Sequence, residues 1–213
     1  MLTEEADLRY EIKFRISVSE VSQLRLWREQ NALVKLHPRR RVSSIYFDDE
    51  LHSSARANIA GDPFRTKYRV RWYGDSLGEV SPEIKTRHGR LVKKWVGPSR
   101  KMADFWSPSG AFEGKCALSR RFPARSSLKV QYVRDYYTLG SGIRCTFDRD
   151  LTFQYPENKL ITRKVSKLII VEFKFQPDKY MDARRLVNSF PIYPSRCSKY
   201  LLGLAALNKV AYL

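Results

Sequence analysis

Cysteine and histidine are scarce in this chain, and with them go the commonest metal and redox sites. The three cysteines, Cys116, Cys145 and Cys197, are odd in number and far apart. They make neither a disulfide framework nor a zinc spacing, and they point to a reducing compartment. His37, His52 and His88 are scattered and read as surface residues rather than as a ligand set. Long apolar runs are missing too. The run from Leu201 to Leu207 is far too short to span a bilayer, and the acidic start, Met1 to Glu5, has no signal-peptide layout. A soluble cytoplasmic protein is the expectation. No linker, low-complexity tract or fixed-period repeat divides the chain, so residues 1–213 read as a single domain.

Acid is the other shortage. Only 22 Asp and Glu stand against 40 Lys and Arg, a formal net charge of +18. Such an excess calls for a polyanionic partner: nucleic acid, an anionic membrane or phosphates. Composition does not choose among them. At 43% hydrophobic and 13% aromatic residues, the chain has the material for a folded core.

The choice comes from where the charges fall. From Arg9 to Ile16 the alternation is strict. Arg9, Glu11, Lys13 and Arg15 share one face of a strand, and Tyr10, Ile12, Phe14 and Ile16 share the other. Residues 65–73 repeat the pattern, with Arg65, Lys67, Arg69 and Arg71 opposed to Tyr68, Val70 and Trp72. Like charges in a row repel, and a chain that accepts this gains from an anion that bridges them. Glu83, Lys85 and Arg87 share a face in a strand over 79–86, which returns over 91–96 with Lys93 and Lys94. Glu172 and Lys174 share a face over 168–175. Further strands read over 42–49, 128–139 and 143–150, the last with Arg144, Thr146 and Asp148 on one face.

Helices are expected over 18–32, opened by a Ser17–Glu20 capping box, over 179–189, and over 196–208 after a Ser195 cap. Residues 50–60 read as a short helical connection, 97–127 as irregular with a short helix near 112–120, and 151–166 as a basic connection. Eight strands with hairpin-like links predict an α+β fold: a closed antiparallel β-tunnel with a charged interior, covered outside by about three amphipathic helices. A cation-lined interior is costly unless a polyanion enters it. Arg forks and Lys point charges suit phosphate oxygens. The carboxylates Glu11, Glu83 and Glu172 have two readings. They are either internal partners of Lys and Arg or oxygen ligands of a divalent ion that bridges phosphates.

The segments Arg9–Phe14, Ser44–Asp48, Lys67–Gly74, Glu83–Lys85, Arg144–Asp148, Val171–Lys174 and Ser195–Tyr200, in this order, resemble the CYTH-like triphosphate tunnel enzymes. More closely they resemble the VTC domain, the polyphosphate polymerase domain of vacuolar transporter chaperone complexes. The resemblance implies that a nucleoside triphosphate such as ATP gives its terminal phosphoryl group to a growing inorganic polyphosphate chain, with Mn or Mg, and that no nucleic acid is involved. Carried over by position, Lys13, Arg69, Arg71, Lys85 and Lys199 are the catalytic cations. Arg9, Lys67, Arg134, Arg144, Lys174, Arg196 and Ser198 bind the phosphate chain, and Glu172, Glu11 and Glu83 hold metal. The acceptor is an already deprotonated phosphate oxygen, so no general base is needed. Arg9 stands where the wider superfamily's E-x-E-x-K signature has its first Glu. One metal carboxylate is lost and a cation gained, which favours building a polymer over hydrolysis. The alternatives are a triphosphatase or nucleotide cyclase of the same fold, and a non-catalytic binder of polyphosphate, inositol phosphates or RNA.

Overall fold

The computed structural model describes residues 8–75, 78–101, 112, 124–140, 142–156 and 160–212. Apart from Phe112, the short helix expected near 112–120 lies outside the described residues. The strands are β1 (Arg9–Ser17), β2 (Val34–Asp48), β3 (Phe64–Tyr73), β4 (Glu79–His88), β5 (Leu91–Val96), β6 (Arg100–Lys101), β7 (Arg125–Leu139), β8 (Ile143–Gln154), β9 (Thr162–Val165) and β10 (Leu168–Phe175). The helices are α1 (Val21–Gln30), α2 (Ser53–Ala60), α3 (Tyr180–Ser189) and α4 (Lys199–Ala206). Strands pair antiparallel around a closed ring, β1-β5-β4-β3-β2-β7-β8-β10 and back to β1. The ring is the eight-stranded closed barrel that the alternation called for. Of the two remaining strands, β9 extends the sheet from the far half of β8, and β6 pairs with β4.

Parity decides which side of the barrel each residue faces. In β1 and β10 the register sets Glu11 opposite Lys174 and Lys13 opposite Glu172 on the inner face. The outer face carries Phe14, Ile16, Phe173 and Phe175, which form a buried cluster with Leu24 and Trp27 of α1 and Ala183 of α3. Trp27 meets Phe190 edge-on at 4.8 Å between ring centroids. The Ser17 N–H donates to the Glu20 carboxylate at 2.8 Å, so the expected capping box is present. It caps a 3-10 turn over 18–20 that leads into α1. On the other side Tyr68, Val70, Trp72 and Ile84 form a second outer cluster with Phe112.

Three features depart from the sequence reading. First, β2 begins at Val34 instead of residue 42. Its first half is exposed and pairs with the end of β7 through register shifts between Lys35 and His37 and between His37 and Arg40. Pro38 falls within the second shift, without a ladder position, where a residue lacking N–H is tolerated. Second, β8 runs on to Gln154. Asp150, at φ 55, makes a bulge opposite Tyr132 that resets the alternation, so Asp148 and Leu151 both face inward.

Third, the last helix does not cover the barrel from outside as α1 and α3 do. Tyr200, Leu201 and Leu204 of α4 pack with Leu128, Val130, Phe153 and Ile170, which lie on the inner face. Its cap is Ser198, whose Oγ accepts the Leu201 N–H, and not Ser195. At Gly203 the helix touches the wall. A Cβ there would stand 2.5 Å from both Leu128 Cδ2 and Phe153 Cδ1. No described helix is long and apolar enough to cross a membrane.

Because this contact is backbone against core side chains, Gly203→Val is expected to cost about 1–3 kcal/mol of stability through overpacking. Urea unfolding would measure it. An unchanged midpoint would contradict the placement of α4.

Candidate functional site

The charged inner face encloses a cavity of about 950 Å³. Fourteen Lys and Arg side chains line it against two carboxylates, Glu11 and Glu172. Alternation on β1, β3, β4, β5, β7 and β10 aims these side chains inward. The segment before α4 completes the lining from far away in sequence. Ser195 N–H donates to the Lys13 carbonyl at 2.8 Å, Lys67 Nζ donates to Ser198 Oγ at 2.8 Å, and Lys13 Nζ reaches the Cys197 carbonyl at 3.3 Å. Lys199, at the start of α4, is thereby set among the barrel cations.

The deep part is a lattice of compensated charge. Asp148, with no exposed surface, accepts from Arg134 Nε at 2.5 Å and Nη2 at 2.7 Å, and from Lys199 at 2.5 Å. Burial pushes its carboxyl up, but the two cations win and hold it at about 2. Glu83 accepts from Arg69 Nε at 2.7 Å and Lys94 at 2.6 Å. Burial opposes its ionisation too, yet Arg69, Arg71 and Lys94 hold its carboxyl far below the usual range. Glu11 meets Lys85 at 2.5 Å, and Glu172 meets Lys174 at 3.1 Å. Burial raises the Glu11 carboxyl and Lys85 lowers it, for a net value of about 2. Arg71 rests on Ser44 Oγ at 3.1 Å and on the Tyr132 hydroxyl at 3.2 Å.

Compensation is incomplete. The register puts Arg65 opposite Arg87, Lys67 opposite Lys85, and Lys85 opposite Lys94. Like charges directly opposite destabilise a sheet. Burial, with Lys13 adding to it, depresses the Lys85 ammonium to about 7 even though Glu11 is beside it. Burial likewise takes Lys94 down to about 8. Lys67, buried among Lys13, Lys85, Arg65 and Arg69, falls well below the ordinary lysine range. Crowding of these cations therefore disfavours full protonation, and an anion among them would favour it.

All the expected site residues line this cavity except Glu83 and Arg144. Glu83 lies outside the cavity lining, with one oxygen accepting from Arg69 and the other from Lys94. Arg144 has inward parity opposite Lys174, but it stands exposed at the end of β8, outside the cavity lining. Among the described residues no group of three His, Cys, Asp or Glu comes together. Glu11 and Glu172 do face one space, at 3.9 and 3.8 Å from the Lys13 ammonium. A hard divalent ion that takes most of its oxygens from phosphate and water needs only such a pair. The reading from sequence missed Lys94, Tyr46, Tyr132 and Asp148 as site members. Tyr46 takes a hydrogen bond from Arg69 Nη1 at 3.0 Å. The alternation of Asp148 with Thr146 was the available signal for its inward position.

Asp148→Asn is expected to cost about 3–5 kcal/mol, because it leaves Arg134 and Lys199 buried without their counter-ion. Thermal unfolding at neutral pH checks this. The lowered carboxyls of Asp148 and Glu11 also fix an acid dependence. Unfolded, these groups bind protons near about pH 4, but folded they do so only near 2. Their stabilisation is therefore present above that upper value and lost as pH falls toward the lower one. A melting temperature that is flat across this window would contradict the ion pairs.

A family model of the VTC domain matches residues 8–105. No curated protein sequence matches the chain. Solved structures that resemble it include a proposed adenylyl cyclase from Hippeastrum with a dominant triphosphatase activity. It is 16% identical at a TM-score of 0.55, covering 95% of this chain and 97% of that one. A Pyrococcus horikoshii OT3 protein is 16% identical at a TM-score of 0.53, covering 92% and 99%. A proposed adenylate cyclase from Vibrio parahaemolyticus is 11% identical at 0.51, covering 91% and 97%. At these identities the structural likeness establishes the fold. The chain thus has the closed antiparallel tunnel fold of these structures, and residues 8–105 of it are similar to the VTC domain.

Proposed function

We propose that this chain is a metal-dependent phosphotransferase that passes the terminal phosphoryl group of ATP to a growing inorganic polyphosphate chain inside the tunnel. The observation that carries the reading is the cation excess of the cavity, fourteen Lys and Arg against two carboxylates. A triphosphate brings only about four charges, so a longer phosphate chain answers the excess better. The VTC match supports the same reading, and so does Arg9. Its Nε is buried without a hydrogen-bond partner, a donor waiting for an anion oxygen.

Phosphoryl transfer needs positioning and charge neutralisation more than covalent chemistry. Arg69, Arg71 and Lys199 hold fixed positive charge against the transferring group. Lys85, depressed to about 7 by burial, takes up a proton as the phosphates arrive. Lys13, whose ammonium is kept charged by Glu172 and Glu11 against its burial, joins the cations to the carboxylate pair. Glu11 and Glu172 would hold Mn or Mg, which when bound neutralises phosphate oxygens and orients them. The attacking oxygen is a phosphate oxygen already without its proton.

A second reading, cleavage of a triphosphate by water, is favoured by one observation. Helix α4 occupies part of the inner face, which shortens the run open to a threaded polymer. The triphosphatase activity of the Hippeastrum relative belongs to the same fold.

Incubation with ATP and Mn or Mg separates the two. A polyphosphate ladder on a gel is expected. Release of free phosphate without a ladder would move the assignment to hydrolysis, and ATP left intact would contradict both. Lys199→Ala is expected to slow turnover by about a hundredfold, the scale set by loss of one charge-stabilising donor.

A further inference from the structure

We infer that the mouth of the tunnel is a separate binding track for phosphate chains longer than a triphosphate, formed by Arg65, Arg87, Arg90 and Arg196. The inference rests on the reading of the cavity as a phosphate-chain site, and it concerns which length of chain is recognised and where.

The cavity has two electrostatic zones. In the deep zone, where Arg71 and Arg134 are each 7% exposed, Glu11, Glu83, Asp148 and Glu172 are each engaged with cations. At the mouth Arg65 and Arg87 are half-buried, and Arg90 and Arg196 are exposed. Among the described residues none of these four has a carboxylate hydrogen-bonded to it. Arg65 donates to the Asp62 carbonyl, Arg87 Nε to the Gly89 carbonyl at 2.7 Å, and Arg196 Nη2 to the Asn58 carbonyl at 2.8 Å. Asp62 gives its own carboxylate to the Phe64 N–H at 2.8 Å. Each guanidinium has five N–H donors, so most of every fork stays free.

Backbone contacts of this kind aim an arginine without neutralising it. Arg65 and Arg87 are held directly opposite each other, a repulsive arrangement. Burial and the charges of Arg87 and Arg196 push the Arg65 guanidinium below its usual range. The six residue steps from Arg71 to Arg65 along β3 span about 20 Å, longer than three linked phosphates. A triphosphate seated on the deep cations therefore leaves the mouth unanswered. A longer chain continues onto it, with its oxygens taken bidentately by the forks.

The test is binding of inorganic tripolyphosphate and of polyphosphate several tens of phosphates long, by calorimetry without metal or nucleotide. Wild type is compared with an Arg65→Gln, Arg87→Gln double variant. Affinity for the long chain is expected to fall by about tenfold or more, and that for tripolyphosphate by less than about twofold. Without anion the double variant is expected to melt at or above wild type, because a repulsion has been removed. If it melts early, Arg90→Gln on the β4–β5 turn serves in its place with the same expectation. Equal weakening of both ligands, or of neither, overturns the track. A selective loss in a protein that makes no polyphosphate ladder keeps the track and sinks the polymerase. A ladder made by a protein whose mouth variants lose nothing does the reverse.

Discussion

Cation faces cation across neighbouring strands inside a closed barrel, and the rest of the structure answers to that. Arg65 against Arg87, Lys67 against Lys85 and Lys85 against Lys94 each cost stability. Stability has to come from elsewhere. It comes from the outer faces, where Phe14, Trp27 and Phe173 meet under α1 and α3, and where Val70 and Trp72 meet Phe112. It also comes from α4, whose apolar side fills the inner face that the charges leave free. The charged wall is thus held in place by packing on every other surface.

Four inner carboxylates make this tolerable without cancelling it. Asp148 and Glu83 are spent on Arg134, Lys199, Arg69 and Lys94, fixing those cations in position. Glu11 and Glu172 line the cavity itself, each with a lysine partner of its own. The charge left over grows toward the mouth. The cations therefore grade from arginines held by backbone carbonyls at the exposed end of the cavity to a set paired with carboxylates inside.

Most of this was legible because a strand writes its two faces in alternate letters. β1, β3, β4 and β10 alternate without a break, and their inward residues were found by parity alone. Reading failed where parity breaks. Asp150 bulges and resets β8, so the inward-facing Leu151 and Phe153 lay beyond the strand as first drawn. Register shifts around Pro38 hid the first half of β2. Burial is not written in parity either. Arg144 has inward parity but sits at a strand end. Glu83 reads like Glu11, yet it differs because Arg69 and Lys94 converge on it from neighbouring strands. For α4, an apolar stripe says that a helix packs on a sheet and leaves open which side of the barrel it takes.

The claim beneath the account is that the tunnel is short of anion and is completed by a phosphate chain. Proton uptake on binding tests it most directly. ATP binding would be followed by calorimetry without metal, near about pH 8, in buffers of different ionisation enthalpy. Lys85, at about 7, is largely neutral there and Lys94, at about 8, about half so, while burial shifts Lys67 in the same direction. The account predicts a net uptake of protons as the phosphates enter, and weaker binding as pH rises. Binding that takes up no protons and is indifferent to pH would contradict it.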